Sequence, residues 1–189
     1  GGVHYRFKRG YRNVINEQLR LQSEGINCPL AIETSGHAAF RDNYYLDDGA
    51  YLITQIVIKM AQMAKEGRKL DSLISALKDP AEEKELRFKI NTEDFKSYGN
   101  SVIGKLEEYA LSNPEMRIAD DNREGIRIYF DSEDKQGWLL LRLSVHDPIM
   151  PLNIESDVKG GVRLIAESFY EFISKIDKLD ISSLEAFIN

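Results

Sequence analysis

Apolar and polar positions change period several times along this 189-residue chain, and each change marks a predicted element. Residues 3–8 read as a strand and lead through Gly10 into a helix from about Arg12 to Leu21, with a turn over residues 23–27. Pro29-Leu30-Ala31-Ile32 is a short apolar run that stops at Glu33, so Thr34-Ser35-Gly36-His37 is expected as a loop at a strand end. After Asp47-Asp48-Gly49, the residues Ile53, Ile56, Val57, Met60, Ala61 and Ala64 follow helical spacing. The two aspartates stand where a cap and the helix dipole favour negative charge. A shorter helix (Leu70, Leu73, Ile74, Leu77) should stop at Asp79-Pro80, and Glu82-Glu83-Lys84-Glu85 is the best candidate linker.

Beyond that point the order changes. Residues 86–90 read as a strand, and Phe95, Tyr98, Val102, Leu106 and Tyr109 mark an amphipathic helix closing at Asn113-Pro114. Three strand-like runs follow, at residues 125–130, 138–141 and 152–155. A last helix carries Val162, Ile165, Phe169, Phe172, Ile173 and Ile176 on one face. A strand, a helix, a run of strands and a helix predict an α+β layer, a sheet with helices on one side.

Composition narrows the class. With 42% hydrophobic and 30% charged residues, no apolar run long enough to span a bilayer and no signal segment, the expectation is a soluble globular chain without a membrane partner. The single Cys28 excludes an internal disulfide and a thiolate zinc site, so a reducing compartment, the cytoplasm, is expected. The net charge of −6 is uneven: residues 1–80 hold 11 Lys/Arg against 9 Asp/Glu, and residues 81–189 hold 14 against 22. That acidic second half argues against nucleic acid as a partner, because such binding draws its affinity from neutralised phosphates. Arg6, Lys8, Arg9 and Arg12 form a basic start that either faces an anionic ligand or edges a solvated strand. The opening Gly-Gly without methionine suggests a piece of something longer.

Two segments carry chemistry. Sugars are recognised by groups that donate and accept hydrogen bonds together, and a carboxylate beside a hydroxyl can engage two neighbouring sugar hydroxyls. Glu33, Ser35, Gly36 and His37 offer that on one loop, with Gly36 allowing a sharp turn. On chemistry alone, Glu33 and Ser35 equally read as caps of a turn and His37 as a packed polar residue. The second segment runs from Trp138 to Pro148. It delivers Arg142 at the end of a buried strand, where a guanidinium fork with Ser144, His146 and loop amides would clamp a phosphate. A salt-bridged arginine is the alternative.

Together, in this order and about a domain apart, the two segments resemble the α-D-phosphohexomutases, the phosphoglucomutase/phosphomannomutase superfamily. The segment Glu33-Thr34-Ser35-Gly36-His37, followed by Asp47-Asp48-Gly49-Ala50-Tyr51, is similar to the family's Gly-Glu-Met-Ser-Gly-His sugar loop and next helix, with Ile32 for the glycine and Thr34 for the methionine. Arg142, Ser144 and Pro148 match the family's Arg-x-Ser-x-Thr-Glu-Pro phosphate loop, with His146 and Asp147 replacing the threonine and glutamate. Near the start, Gly10-Tyr11 stands for the family's Gly-His pair, and Lys8 or Arg12 for its following lysine.

The resemblance implies an α/β domain 3 over residues 1–82, a mixed sheet with helices on both faces, and an α+β TATA-binding-protein-like domain 4 over residues 83–189. It implies the substrate-binding half of an isomerase that interconverts hexose 1-phosphate and hexose 6-phosphate through a hexose 1,6-bisphosphate. The family's phosphoserine loop and its Asp-x-Asp-x-Asp magnesium site belong to domains 1 and 2 and have no counterpart in this sequence. No catalytic residue and no metal ligand is therefore expected here; Mg2+ would bind outside this chain, and the partners would be a phosphorylated hexose and the N-terminal domains of the same polypeptide. The alternatives are a non-catalytic sugar-phosphate-binding or regulatory module and a pure interaction domain.

Overall fold

The computed structural model describes residues 2–189 and divides the chain into two units, Gly1–Lys78 and Asp79–Asn189. In the first unit, helix α1 (Tyr11–Ser23) lies against a two-stranded antiparallel ribbon, β1 (Leu30–Ile32) with β2 (Ala38–Phe40). Buried Gln18 fixes this packing, because its Nε2 donates to the carbonyls of Cys28, at 3.0 Å, and Ala39, at 3.2 Å. Helix α2 (Gly49–Lys65) follows. Asp48 caps it by accepting the Tyr51 amide at 2.9 Å, and a 3-10 turn, Leu70–Leu73, comes after.

Three expectations change here. Residues 2–8 pair with no strand; Tyr5 instead donates its hydroxyl to buried Glu17, since a strand pattern needs a partner ladder to become a strand. The first unit is α/β as expected, but its β structure among the described residues is the antiparallel ribbon and not a mixed sheet. The helix expected over residues 70–77 shortens to a 3-10 turn that buries none of its residues. Helix α2 is equally bare: it buries only Met63, while Ile53, Ile56, Val57, Ile58 and Met60 are all exposed.

The second unit is a six-stranded antiparallel sheet in the order β4-β5-β6-β7-β3-β8. The strands are β3 (Glu82–Ile90), β4 (Arg117–Ile118), β5 (Ile126–Phe130), β6 (Gly137–Leu141), β7 (Ile149–Ser156) and β8 (Leu179–Asp180). The charged stretch expected as a linker is the first half of β3, with Glu82 through Glu85 paired to Ser156 through Asn153. Its polar alternation belongs to a strand whose one face is open. Register carries Leu86, Leu152, Leu141 and Ile126 in one row and Ile154, Leu139 and Ile128 in the next, all buried. Helices α3 (Phe95–Ser112), α4 (Gly161–Ile173) and α5 (Ser182–Ile188) supply the rest of that core through Val102, Leu106, Ile165, Phe169 and Leu184. This is the expected α+β layer.

Phe169 is fully buried and lies parallel to Phe88, with ring centroids 6.2 Å apart. Phe169→Ala should cost about 3–5 kcal/mol of the second unit's stability by removing transfer energy and leaving a cavity, read as a lower denaturant midpoint. The helix caps give a pH signature. The Tyr51 amide and then Asn43 hold the Asp48 carboxyl below the ordinary aspartate range, and Ser97 does the same for Asp94, the cap of α3. A depressed folded-state value stabilises above the unfolded value and is lost as pH falls through the folded one. Amide hydrogen exchange at Tyr51 and Ser97 should therefore accelerate, relative to their helix centres, once pH drops below the usual aspartate range.

Candidate functional site

The first candidate site is built on the hairpin that joins β1 to β2. The Glu33 amide donates to the His37 carbonyl and the Gly36 amide to the Glu33 carbonyl, both at 2.9 Å, and Gly36 sits at φ 90°, where a side chain would be strained. The turn raises Glu33, Ser35 and His37 together. Glu33 Oε2 accepts the Ser35 hydroxyl at 3.0 Å, and its Oε1 accepts the Gly10 amide at 3.0 Å. That second bond draws in the start of α1, so Tyr11 stacks on the His37 ring with centroids 4.9 Å apart.

His37 is then held from both sides. Its Nδ1 lies 2.7 Å from Asp47 Oδ2, which leaves Nε2 as the free ring nitrogen, and the side chain remains half exposed. Asp47, expected to help cap α2, instead pairs with His37, and Asp48 caps the helix. Arg12 is exposed beside the cluster and donates from Nε to the Tyr11 hydroxyl at 3.0 Å; Lys8 is exposed in the segment that leads into it.

The second candidate site lies past the end of β6. The pleat puts Leu141 in the core and directs Arg142 to the opposite face of the sheet, where Glu83, Glu85 and Arg87 of β3 and Asn153 and Glu155 of β7 also lie. Arg142 is mostly covered, at 20% side-chain exposure, and its Nη1 is 3.8 Å from Glu124 Oε1. Glu85 is held below its ordinary range by the hydrogen bond from Arg87 first, then that from Asn153, with the Arg142 charge adding to them. Glu155 moves the other way, because burial penalises its carboxylate more than the Arg127 charge favours it.

After Arg142 the chain turns over residues 143–148. The Ser144 amide bonds the Ile149 carbonyl at 2.9 Å, the Asp147 amide reaches Ser144 Oγ at 3.3 Å, and His146 stays exposed. Arg142, Ser144 and His146 thus share one loop, and Arg142 is an ion-paired arginine at a strand end as well. Asn122 and Glu124 lie on the opposite turn, and the sequence pattern assigns neither of them a role in the site. Asn122 Oδ1 accepts the Arg127 amide at 2.7 Å and starts β5. Among the described residues, no group of three or more His, Cys, Asp or Glu is placed to hold a metal ion. No helix among them is long and apolar enough to cross a membrane.

Comparison with known proteins bears on this geometry. Residues 1–80 match the family model described as phosphoglucomutase/phosphomannomutase, alpha/beta/alpha domain III. Among solved structures, the chain is similar in fold to a phosphoglucomutase/phosphomannomutase family protein from Burkholderia thailandensis. The TM-score is 0.59 and the sequence identity 23%, over 89% of this chain and 31% of that one. This chain thus spans less than a third of the length of that protein. A search of curated proteins gives no match. The likeness thus consists of a domain III family model over residues 1–80 and a similarity of fold over most of the chain.

The close backbone approach behind Arg142 is testable. Gly125 has φ 66°, and a Cβ there would strike the Leu141 carbonyl oxygen and lie 2.8 Å from the Arg142 Cα. Gly125→Ala therefore meets a strained backbone and a rigid obstacle together, and should lower the second unit's stability by about 2 kcal/mol or more in a denaturant melt. A fully native midpoint would mean that the turn can relax away from β6.

Proposed function

We propose that this chain is the substrate-binding half of a phosphoglucomutase/phosphomannomutase-type enzyme, which interconverts hexose 1-phosphate and hexose 6-phosphate. Each unit supplies one of the two kinds of contact that a hexose phosphate offers. The observation that carries the reading is the double use of Glu33. Its two oxygens accept from Ser35 and from the Gly10 amide, so the hairpin and the start of α1 form one cluster, within the residues that the family model covers.

In this reading Glu33 and Ser35 bind ring hydroxyls, Gly36 shapes the turn, and His37 offers Nε2 to the ligand while Asp47 orients its ring. Lys8 and Arg12 add positive charge for an anionic substituent. In the second unit, Arg142, Ser144 and His146 grip the phosphate that is not being transferred. Such contacts assist the reaction by holding the sugar in place and excluding water from it. The sequence has no counterpart of the family's serine loop, and among the described residues no group of carboxylates is placed to hold Mg2+. Phosphoserine, Mg2+ and the handling of hexose 1,6-bisphosphate belong to preceding domains of the same polypeptide. The TATA-binding-protein-like character of the second unit, the domain division at residues 82 and 83, and a cytoplasmic location are part of the same proposal.

Helix α2 carries an apolar face that the rest of the first unit leaves exposed, and a helix apolar on several sides is stable in water only when something covers it. The rival reading, a sugar-phosphate-binding module that never had catalytic domains, shares both clusters and differs in the gene. A serine loop and an Asp-x-Asp-x-Asp sequence upstream decide for the enzyme.

The two clusters should fail differently. Arg142→Ala deletes a charge-assisted contact, a loss of about 1.5–3 kcal/mol, and should weaken hexose 1-phosphate and inorganic phosphate alike. Glu33→Ala should weaken hexose 1-phosphate and leave inorganic phosphate unchanged. Ligand-observed NMR on both variants checks this, and equal loss of both ligands in Glu33→Ala would contradict the division of labour. The chain alone should also show no mutase turnover in a coupled assay; activity that follows the protein through size exclusion would overturn the reading.

A further inference from the structure

We propose that Glu124 is the resident counter-ion of the Arg142 site, a carboxylate that holds the guanidinium until a ligand phosphate displaces it, and so sets the phosphate affinity of the loop. This rests on the reading of residues 142–148 as a phosphate-binding loop. A guanidinium covered to the extent of Arg142 needs an anion, and carboxylate and phosphate present the same paired oxygens to its fork. Glu124 supplies that anion from within the chain. Its Oε1 lies 3.8 Å from Arg142 Nη1, beyond the roughly 2.7–2.9 Å of a charge-assisted hydrogen bond, so this contact is Coulombic and can be exchanged.

The backbone makes the pairing a built feature. Gly125 packs directly on the Leu141 carbonyl and the Arg142 Cα, an approach that no side chain at residue 125 would allow. The backbone at Glu124 is therefore held beside the strand that carries Arg142, so its carboxylate stays within reach of the guanidinium when the pair opens. Glu85 also feels Arg142, and it is engaged at 2.8 Å by Arg87 Nε and at 3.1 Å by Asn153. Those bonds keep Glu85 on β3 whether or not a phosphate is bound. The donors that would complete a phosphate's coordination, Ser144 and His146, lie on the adjoining loop, so displacement of Glu124 exchanges one carboxylate for an anion with more acceptor oxygens.

The consequence runs opposite to that of an ordinary binding residue: removing the Glu124 charge should tighten phosphate binding. The test is titration of inorganic phosphate and glucose 1-phosphate into the wild-type chain, Glu124→Gln, Glu124→Asp, Arg142→Ala and the double variant Glu124→Gln/Arg142→Ala. A thermal melt of each establishes folding. Glu124→Gln should bind both probes about five-fold more tightly, as expected for release of a partly exposed ion pair. Glu124→Asp, which keeps the charge on a shorter arm, should fall between it and wild type, and the gain should vanish in the double variant.

If Arg142→Ala weakens both probes but Glu124→Gln binds no more tightly than wild type, the counter-ion proposal is overturned and the phosphate loop stands. If Arg142→Ala leaves both affinities unchanged, the phosphate-loop reading fails and this proposal with it. Should Glu124→Gln unfold, Glu124→Asp decides alone, and an affinity at or below wild type then counts against the proposal.

Discussion

One constraint governs the second unit: the pleat of a six-stranded sheet with a single apolar face. Leu86, Phe88, Ile126, Ile128, Leu139, Leu141, Leu152 and Ile154 all face the helices, and slipping any strand by one residue would turn its apolar side chains outward. The core thus fixes what the other face presents. Arg142 follows Leu141, so it emerges on the open side, in the field of Glu85 and Glu124. Its place in the candidate phosphate site is a by-product of core packing. This is why a glycine at residue 125, which lets two backbones touch, matters to the site without offering a side chain to it.

The first unit is organised by polar groups. Gln18 ties α1 to the ribbon, and Glu33 ties the hairpin turn to Gly10. With little apolar burial beneath it, the cluster of Glu33, Ser35, His37, Asp47 and Tyr11 depends on these directional contacts. The exposed apolar side of α2 shows the same imbalance, because the helix carries more hydrophobic surface than the short ribbon can cover.

Much of this was legible from residues alone where periodicity ran long. Helices α2, α3 and α4 and strands β5 and β6 sit where the spacing of Ile56, Leu106, Phe169 and Ile128 puts them. The misses have physical causes. Residues 3–8 have a strand's composition, but pairing depends on a partner that local sequence cannot reveal. Glu82 through Glu85 looked like a linker because one face of β3 is open to water. Two-residue strands such as β4 and β8 are too short to show a period. In the sites, the motif residues were visible, Asp47 and Tyr11 among them, whereas the contacts of these two with His37 and of Glu124 with Arg142 were not, since each is a tertiary contact. Asp47 lies ten residues from His37, and Glu124 reaches Arg142 from the end of the neighbouring strand.

The central claim is that one chain carries two separate grips, one for sugar hydroxyls and one for phosphate. A two-dimensional amide NMR titration of the wild-type chain tests it most directly, with glucose 1-phosphate and inorganic phosphate run in parallel. The account predicts that glucose 1-phosphate shifts amides at residues 33–37 and at residues 142–148, while inorganic phosphate shifts the second set and leaves the first in place. Shifts from glucose 1-phosphate that fall on neither loop would contradict it.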